Sequence, residues 1–214
     1  MKTQLTIALP TGRLGESAIK QLQAIGLANN VSTKTRKLTF IDDSAIQYIM
    51  VKPVDVITYV EKGVADMGII GSDVIMEQQS DVYEVADLGF GQCKFSIAGF
   101  DSSLLNQTQD TVLTVATKYP YVTKAYFRKR AQKIDLIKIN GSVELAPLLG
   151  LSDIIVDIVE TGNTLKANGL TIIEDMMEVS AKAIVNRVSY RFNYERIRDI
   201  TERLNALLEG DFDA

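Results

Sequence analysis

Short apolar runs alternate with helical periodicities along most of this sequence, and that rhythm limits the folds open to it. Leu5 to Leu9 reads as a strand. Leu14, Ala18, Leu22 and Ile25 then fall on one helical face, and Gly26 is a natural stop just past the helix end. Ile46 to Val51 is the next strand, after which Pro53 opens a helix from Val54 to Lys62 that Gly63 ends. Met67 to Ile70 is a short buried strand, followed by Gly71 and a helix near Asp73 to Gln78. Val112 to Ala116, Ile134 to Ile139 and Ile154 to Val159 are three more strands, with a helix opened by Pro120 between the first two. Repeated strand–helix–strand units predict α/β architecture with mostly parallel sheets.

The pattern restarts. From Phe95 to about Asn168 the chain has its own strand–helix series. A C-terminal helix with Ile197, Ile200, Leu204, Leu207 and Leu208 on one stripe needs a surface to cover. These features predict two α/β lobes: residues 1–90 plus 179–214 form lobe I, and residues 91–178 form lobe II. The chain leaves lobe I through Gly89, Phe90 and Gly91, read as a hinge strand, and returns near Glu178. No repeat at a fixed period is present.

Composition narrows the chemistry. There is no histidine and one cysteine, Cys93, so no Ser-His-Asp or Cys-His nucleophile system can form, and neither can an internal disulfide or an imidazole zinc site. No metal ligand set is assigned. Cys93 itself reads as a small, partly buried residue. An enzyme built from this chain works with carboxylates, Lys, Arg, hydroxyls, backbone amides and a hard cation such as Mg²⁺. The net charge of −4 gives no basic field for nucleic acid. No apolar run approaches the ~18 residues of a membrane helix. Met1 to Gln4 lead straight into the first strand without a signal-peptide core, which places the protein in the cytoplasm.

The most informative stretch runs from Ile154 to Lys166 (IIVDIVETGNTLK). A buried strand ends in Asp157 and Glu160, then come a Thr161-Gly162-Asn163-Thr164 turn and a helix start. Gly162 lets a backbone approach a ligand closely. Free amides and the dipole at the helix start favour an anion. Thr161 and Thr164 add hydroxyl donors, and the two acids are acceptors for sugar hydroxyls or a hydrated Mg²⁺. The stretch reads as a sugar-phosphate pocket. On the local pattern alone, a plain turn in which Thr164 merely caps the helix reads equally well. The spacing of a P-loop is absent.

This loop resembles the 5-phosphoribosyl-1-diphosphate (PRPP) loop of phosphoribosyltransferases. The surrounding blocks resemble one family, ATP phosphoribosyltransferase, the first enzyme of histidine biosynthesis. They are Leu9 to Leu14 (LPTGRL), Arg36 to Leu38 (RKL), Val60 to Gly71 (VEKGVADMGIIG), Asp87 to Gly91 (DLGFG), Ala116 to Pro120 (ATKYP), Asn140 to Pro147 (NGSVELAP) and Asp157 to Leu170 (DIVETGNTLKANGL). They cover nearly the whole chain in order. The resemblance implies two lobes folded like type II periplasmic binding proteins around a central cleft. It implies a short-form catalytic subunit that works in a hetero-oligomer with a separate regulatory subunit resembling a histidyl-tRNA synthetase. Two positions depart from the family pattern: Thr11 stands where Lys is common, and Lys52 where Arg is common. Lys52 keeps the charge but loses the planar fork that grips phosphate bidentately.

The family reaction joins N1 of ATP to C1 of the PRPP ribose and releases diphosphate. Adenine N1 brings its own lone pair, which fits a chain without histidine. The resemblance implies that Asp157 and Glu160 hold ribose hydroxyls or water on Mg²⁺. Thr161, Gly162, Asn163 and Thr164 cradle the 5-phosphate, and Glu144 faces the same pocket. Arg13, Arg36 and Lys52 act as the catalytic cations on the polyphosphates, and Leu14, Gly71 and Asp73 join them around ATP. Mg²⁺ travels with the substrate phosphates.

Taken alone, Arg13 and Arg36 read as solvated surface charges, Glu144 as a helix-terminus acid and Asp66 as a turn residue. Tyr119, Tyr121, Tyr126 and Phe127 read as packing. Two other functions share the pattern: a two-lobe small-molecule binding protein, and another PRPP-dependent transferase acting on a free base.

Overall fold

The computed structural model describes residues 4–106 and 111–210, the side chain of Asn106 excepted; Met1 to Thr3, part of the expected strand lead-in, lie outside them. The chain divides into two compact units. The first comprises residues 1–75, 79–91 and 180–214; the second comprises 76–78 and 92–179.

In the first unit the elements run β1 (Leu5–Pro10), α1 (Arg13–Ala24), β2 (Thr39–Ile41), β3 (Ile46–Val51), α2 (Pro53–Glu61), β4 (Met67–Gly71), α3 (Ser72–Gln78) and β5 (Val82–Asp87). The last three residues of α3 group with the second unit. There, the chain continues as β6 (Cys93–Gly99), β7 (Leu113–Thr117), α4 (Pro120–Lys129), β8 (Ile134–Lys138), α5 (Leu145–Leu148), β9 (Ile154–Val159), α6 (Asn163–Ala167) and β10 (Thr171–Val179). It returns to the first unit as β11 (Ala181–Asn186), α7 (Arg187–Phe192) and α8 (Tyr194–Glu209).

The first sheet has the order β2-β3-β1-β4-β11-β5, and the second β10-β6-β9-β7-β8. Each contains a block of three parallel strands: β3, β1 and β4 at the centre of the first, and β9, β7 and β8 at one end of the second. Antiparallel strands complete them. The sheets are therefore mixed, not mostly parallel as the rhythm predicts. β5 leads to β6, and β10 to β11, without an intervening helix, so the strand–helix rhythm does not announce these antiparallel strands.

Every residue of β1 is buried because both faces of its sheet are covered. On one face Leu5, Ile7 and Leu9 pack with Ala18 and Leu22 of α1 and with Ile197, Ile200 and Leu204 of α8. On the other, Ala8 and Ile70 pack with Val56, Ile57 and Val60 of α2. The second sheet is covered in the same way. Phe95, Val115 and Val156 pack against Val122 and Phe127 of α4. On the opposite face Ala98, Ala116 and Ile155 pack against Val143, Ala146 and Leu165, around α5 and α6.

Three local expectations are corrected. Gly89, Phe90 and Gly91 form a bend and not a strand, because both glycines have positive φ (68° and 63°), outside the extended region. The bend is held by the Leu88 amide on the Ala181 carbonyl and the Ala181 amide on the Phe90 carbonyl, both 2.9 Å. Leu208 is 42% exposed, unlike the rest of its stripe. It lies against Gly89, 3.1 Å from where a Cβ would stand. Asp66 sits in a bend as expected of a turn residue, but it is buried. Its carboxylate accepts from the Thr6 amide at 2.8 Å and the Ser189 hydroxyl at 2.6 Å, pinning the start of β1 to α7.

Of the aromatic residues read as packing, Tyr119 and Phe127 are core and Tyr126 is half-buried against it, whereas Tyr121 is 50% exposed. Cys93 is half-buried at the edge of the same cluster.

Candidate functional site

In the first unit the chain leaves each parallel strand on the same edge of the sheet. β1 runs into the Thr11–Gly12 turn and Arg13, β3 into Lys52, and β4 into Gly71, Ser72 and Asp73. Each exit leads directly into a helix, so the N-termini of α1, α2 and α3 gather at one edge. Their first-turn amides have no partner within the helix, and their dipoles make the edge electropositive. Parallel sheets bind ligands beyond these carboxyl ends.

The turn after β1 is set by Gly12, whose φ of 84° and ψ of −164° suit glycine alone. Gly15, one turn into α1, lies so close to β1 that an added Cβ would collide with the Pro10 carbonyl oxygen. The Thr11 amide donates to the Val51 carbonyl at 2.8 Å. Pro10 and Val51 are register partners, so Arg13 and Lys52 project from adjoining strand exits. Both are exposed, as is Arg36.

Arg36 reaches this edge by another route. β2 runs antiparallel to β3, so its start lies beside the end of β3, and the Met50 amide donates to the Leu38 carbonyl at 2.8 Å. Leu14 is half-buried against the core and lies close to Gly91. The Asp73 carboxylate folds back over Gly71, where it would meet an added Cβ. Asp73 is 8% exposed.

The second unit repeats the arrangement. β7 exits at Lys118, β8 at Ile139 to Ser142, and β9 at Glu160 to Gly162, all at one sheet edge. Gly162 has φ of 72° and caps α6 in the left-handed conformation, without a side-chain cap. The simple Thr164-cap alternative is therefore not what forms. Thr164 lies inside α6 and its carbonyl accepts from Asn168 Nδ2 at 2.9 Å, while the Thr161 hydroxyl lies 3.5 Å from the Asn163 amide. Glu160, Thr161, Asn163 and Thr164 are exposed around a buried Gly162. Asp157 is half-buried, and its carboxylate accepts from the Ile158 amide at 2.9 Å.

Glu144 is the residue that precedes α5, half-buried beside Val143. Val143 packs in one cluster with Leu165 of α6 and with Val159, which brings the Glu144 segment onto the same sheet face as the loop. Ser96 and Lys94 of β6 share that face, since their register partners are Asp157 and Val159. Asp175 is the partner of Ser96 on the other side. The Ser96 hydroxyl donates to Asp175 at 2.8 Å and Lys94 approaches at 3.0 Å, and together they hold the Asp175 carboxyl below its usual range. Asp175 and Glu178 in turn hold the Lys94 ammonium above its usual value.

The sequence-predicted residues thus fall into two sets, each gathered at one sheet edge. Arg13, Leu14, Arg36, Lys52, Gly71 and Asp73 belong to the first unit, and Glu144 with Asp157 to Thr164 belongs to the second. The sequence reading assigned no role to Thr117 and Lys118, which end β7 on the same edge as the loop. The signal for them was present: the ATKYP block has the same strand–turn–helix grammar, closed by a Pro at the helix start.

The family pattern HisG, ATP phosphoribosyltransferase, matches residues 52–206. The chain is 58% identical over 197 residues to the ATP phosphoribosyltransferase of Clostridioides difficile (strain 630), covering 92% of this chain and 94% of that protein. It is 52% identical over 206 residues to that of Oceanobacillus iheyensis, covering 95% and 98%. Among solved structures, the ATP phosphoribosyl transferase (HisG:HisZ) complex from Thermotoga maritima superposes with a TM-score of 0.81 at 34% identity, over 97% of this chain and 100% of that one. The substrate-binding protein of an amino acid ABC transporter superposes with a TM-score of 0.59 at 13% identity, over 97% and 95%, a likeness of fold alone. The type II two-lobe α/β fold of periplasmic binding proteins is thus shared. On the family match and these identities, the chain belongs to the ATP phosphoribosyltransferase family.

Proposed function

We propose that this chain carries out the family reaction, the first step of histidine biosynthesis, with the residues described above. N1 of ATP attacks C1 of the PRPP ribose. The C1–N1 bond forms as the bond from C1 to diphosphate breaks, and the electron pair leaves with the diphosphate oxygen. Since N1 attacks with its own lone pair, no base has to prepare it. The demand on the protein is electrostatic: it must hold two polyanions and the charge that grows on the departing diphosphate. It must also orient them.

The edge of the second unit takes the pentose phosphate. The 5-phosphate sits at the Thr161–Thr164 turn, where amides at the start of α6 and two hydroxyls point outward. Asp157, Glu160 and Glu144 accept from the ribose hydroxyls. The edge of the first unit takes ATP. Arg13, Arg36 and Lys52 with three helix N-termini offset the triphosphate and the leaving diphosphate, and Gly71 and Asp73 lie on the adenosine side. Among the described residues, no three acidic or sulfur side chains converge as a metal site. We assign Mg²⁺ to the substrate phosphates, where it would offset charge, with Asp157 and Glu160 as acceptors for its hydration water.

The observation that carries this reading is the left-handed Gly162 turn, directly after an acidic strand end, on the edge that also holds Glu144. Purified chain with ATP, PRPP and Mg²⁺ should yield the N1-ribosylated nucleotide, seen as rising near-ultraviolet absorbance. No product, with or without the cognate regulatory subunit, overturns the reading.

The complex from Thermotoga maritima pairs HisG with HisZ. We propose the same dependence here, on a separate histidine-sensing subunit in a cytoplasmic hetero-oligomer. Histidine should then inhibit the assembled complex and leave the isolated chain nearly unaffected. Strong inhibition of the isolated chain would count against it.

A further inference from the structure

Thr117 is fully buried at the last position of β7. Its hydroxyl donates to the Val156 carbonyl at 2.7 Å and accepts from the Tyr119 amide at 2.9 Å. Its own carbonyl accepts from the Ile139 amide at 3.0 Å. One residue therefore ties together the ends of all three parallel strands of this sheet. Each tie falls at the root of a segment on the candidate edge. Val156 precedes Asp157, Ile139 opens the segment that leads to Glu144, and Tyr119 follows Lys118.

The hydroxyl is not what this position needs for packing. A buried strand residue is ordinarily apolar, and Val has nearly the same shape as Thr. Burying a hydroxyl is costly unless both its donor and its acceptor are used. Here both are used, on the Val156 carbonyl within β9 and the Tyr119 amide just before α4. The parallel ladder between β7 and β9 ends at the Thr117–Val156 pair. The Thr117 hydroxyl adds a side-chain tie to β9 at that last pair, one residue before Asp157.

We propose that Thr117 is a positioning residue for the pentose phosphate. It fixes the end of β9, and so Asp157 and the Gly162 turn, relative to the Glu144 segment. The inference rests on the assignment of PRPP to this edge. It separates from simple fold support because it predicts a selective effect on one substrate.

The test is titration calorimetry of the full chain with PRPP and, separately, with ATP, on the wild type, Thr117→Val and Thr117→Ser. Thr117→Val should weaken PRPP binding about tenfold, what one ordinary hydrogen bond is worth, and leave ATP affinity within about twofold. Thr117→Ser, which keeps the hydroxyl, should restore PRPP affinity to within about threefold of wild type. In turnover, the KM for PRPP should rise more than kcat falls.

Unchanged PRPP affinity in Thr117→Val, or equal weakening of both substrates, overturns the proposal while wild-type PRPP binding keeps the functional reading intact. A wild type that does not bind PRPP removes both. Should Thr117→Val not fold, Thr117→Ala is measured against the same thresholds. If that also fails to fold, the hydroxyl serves the fold and the proposal falls.

Discussion

The backbone amide of Thr11 donates to the carbonyl of Val51 at 2.8 Å, across the ends of two parallel strands. Arg13 and Lys52, one on each side of that bond, are thereby fixed to a common backbone frame, although 39 positions separate them in the sequence. Their long side chains remain exposed, but their roots do not move independently. A polyphosphate laid on this edge meets two cations whose spacing is set by a sheet and not by a loop.

Lys52 is the departure from the family pattern that this frame makes testable. If it offsets charge on the leaving diphosphate, Lys52→Ala should lower kcat about 100-fold. Lys52→Arg, which adds the planar fork, should stay within about threefold of wild type. Steady-state rates decide this. A Lys52→Ala enzyme within twofold of wild type would remove Lys52 from the chemistry.

At the other edge, Gly162→Val should abolish PRPP binding without unfolding the protein. An added Cβ would have ordinary room there, 3.7 Å from Ile172 Cδ1 and 3.9 Å from Val159 Cγ1. The φ of 72° is what resists a β-branched residue, at about 1–2 kcal/mol, and the turn should relax away from the phosphate-binding shape. Asp157→Ala should have the same effect on binding. Calorimetry showing wild-type PRPP affinity in either variant would take the loop out of its role.

Asp66→Ala should be among the most destabilising single changes in the first unit, at about 2–4 kcal/mol, because it strands buried donors at Thr6 and Ser189. The urea midpoint is the measurement. A change under 1 kcal/mol would mean that water or a shifted side chain replaces the carboxylate.

The carboxyl of Asp87 is held low, chiefly by the Lys182 ammonium at 2.5 Å, with further help from the Gly89 amide and the Ser180 hydroxyl. Asp175 is held low as well, chiefly by the Ser96 hydroxyl and then by Lys94. A carboxyl depressed in the folded state stabilises the protein above the ordinary carboxylate range. That contribution is lost as pH falls below about 4 toward the folded value. Both side chains are about half exposed, so each effect is small. Asp175→Asn should narrow the gap between melting temperatures at pH 7 and pH 3 by roughly 1–3 °C. An unchanged gap would show that Asp175 gains nothing from its partners.

Much of the strand–helix frame could be read from the sequence because its signals are local. Pro53 and Pro120 open helices, Gly26 and Gly63 end them with φ of 81° and 70°, and apolar runs mark the central parallel strands. The antiparallel strands were illegible for equally physical reasons. β10 (TIIEDMMEV) carries two register shifts against β6, which break the alternation that identifies a strand. β5 is an edge strand of mixed character, partly buried along its length. The candidate loop was visible because acid, glycine and hydroxyls are contiguous there. Arg36 owes its place beside the β3 exit to the β2–β3 pairing, which no local pattern reveals. Thr117 looks like any strand threonine until its hydroxyl is seen spanning two strands.

Among the described residues, the edge strand β5 pairs with β11 alone. Its partner is encoded about 100 residues downstream. On a ribosome adding about 5–20 residues per second, β5 therefore waits some 5–20 s for β11. During that interval the intervening stretch, which contains nearly all of the second unit, has already left the peptidyl-transferase centre. Synthesis thus favours completing the sheet of the second unit first, and the sheet of the first unit closes only once β11 has been made.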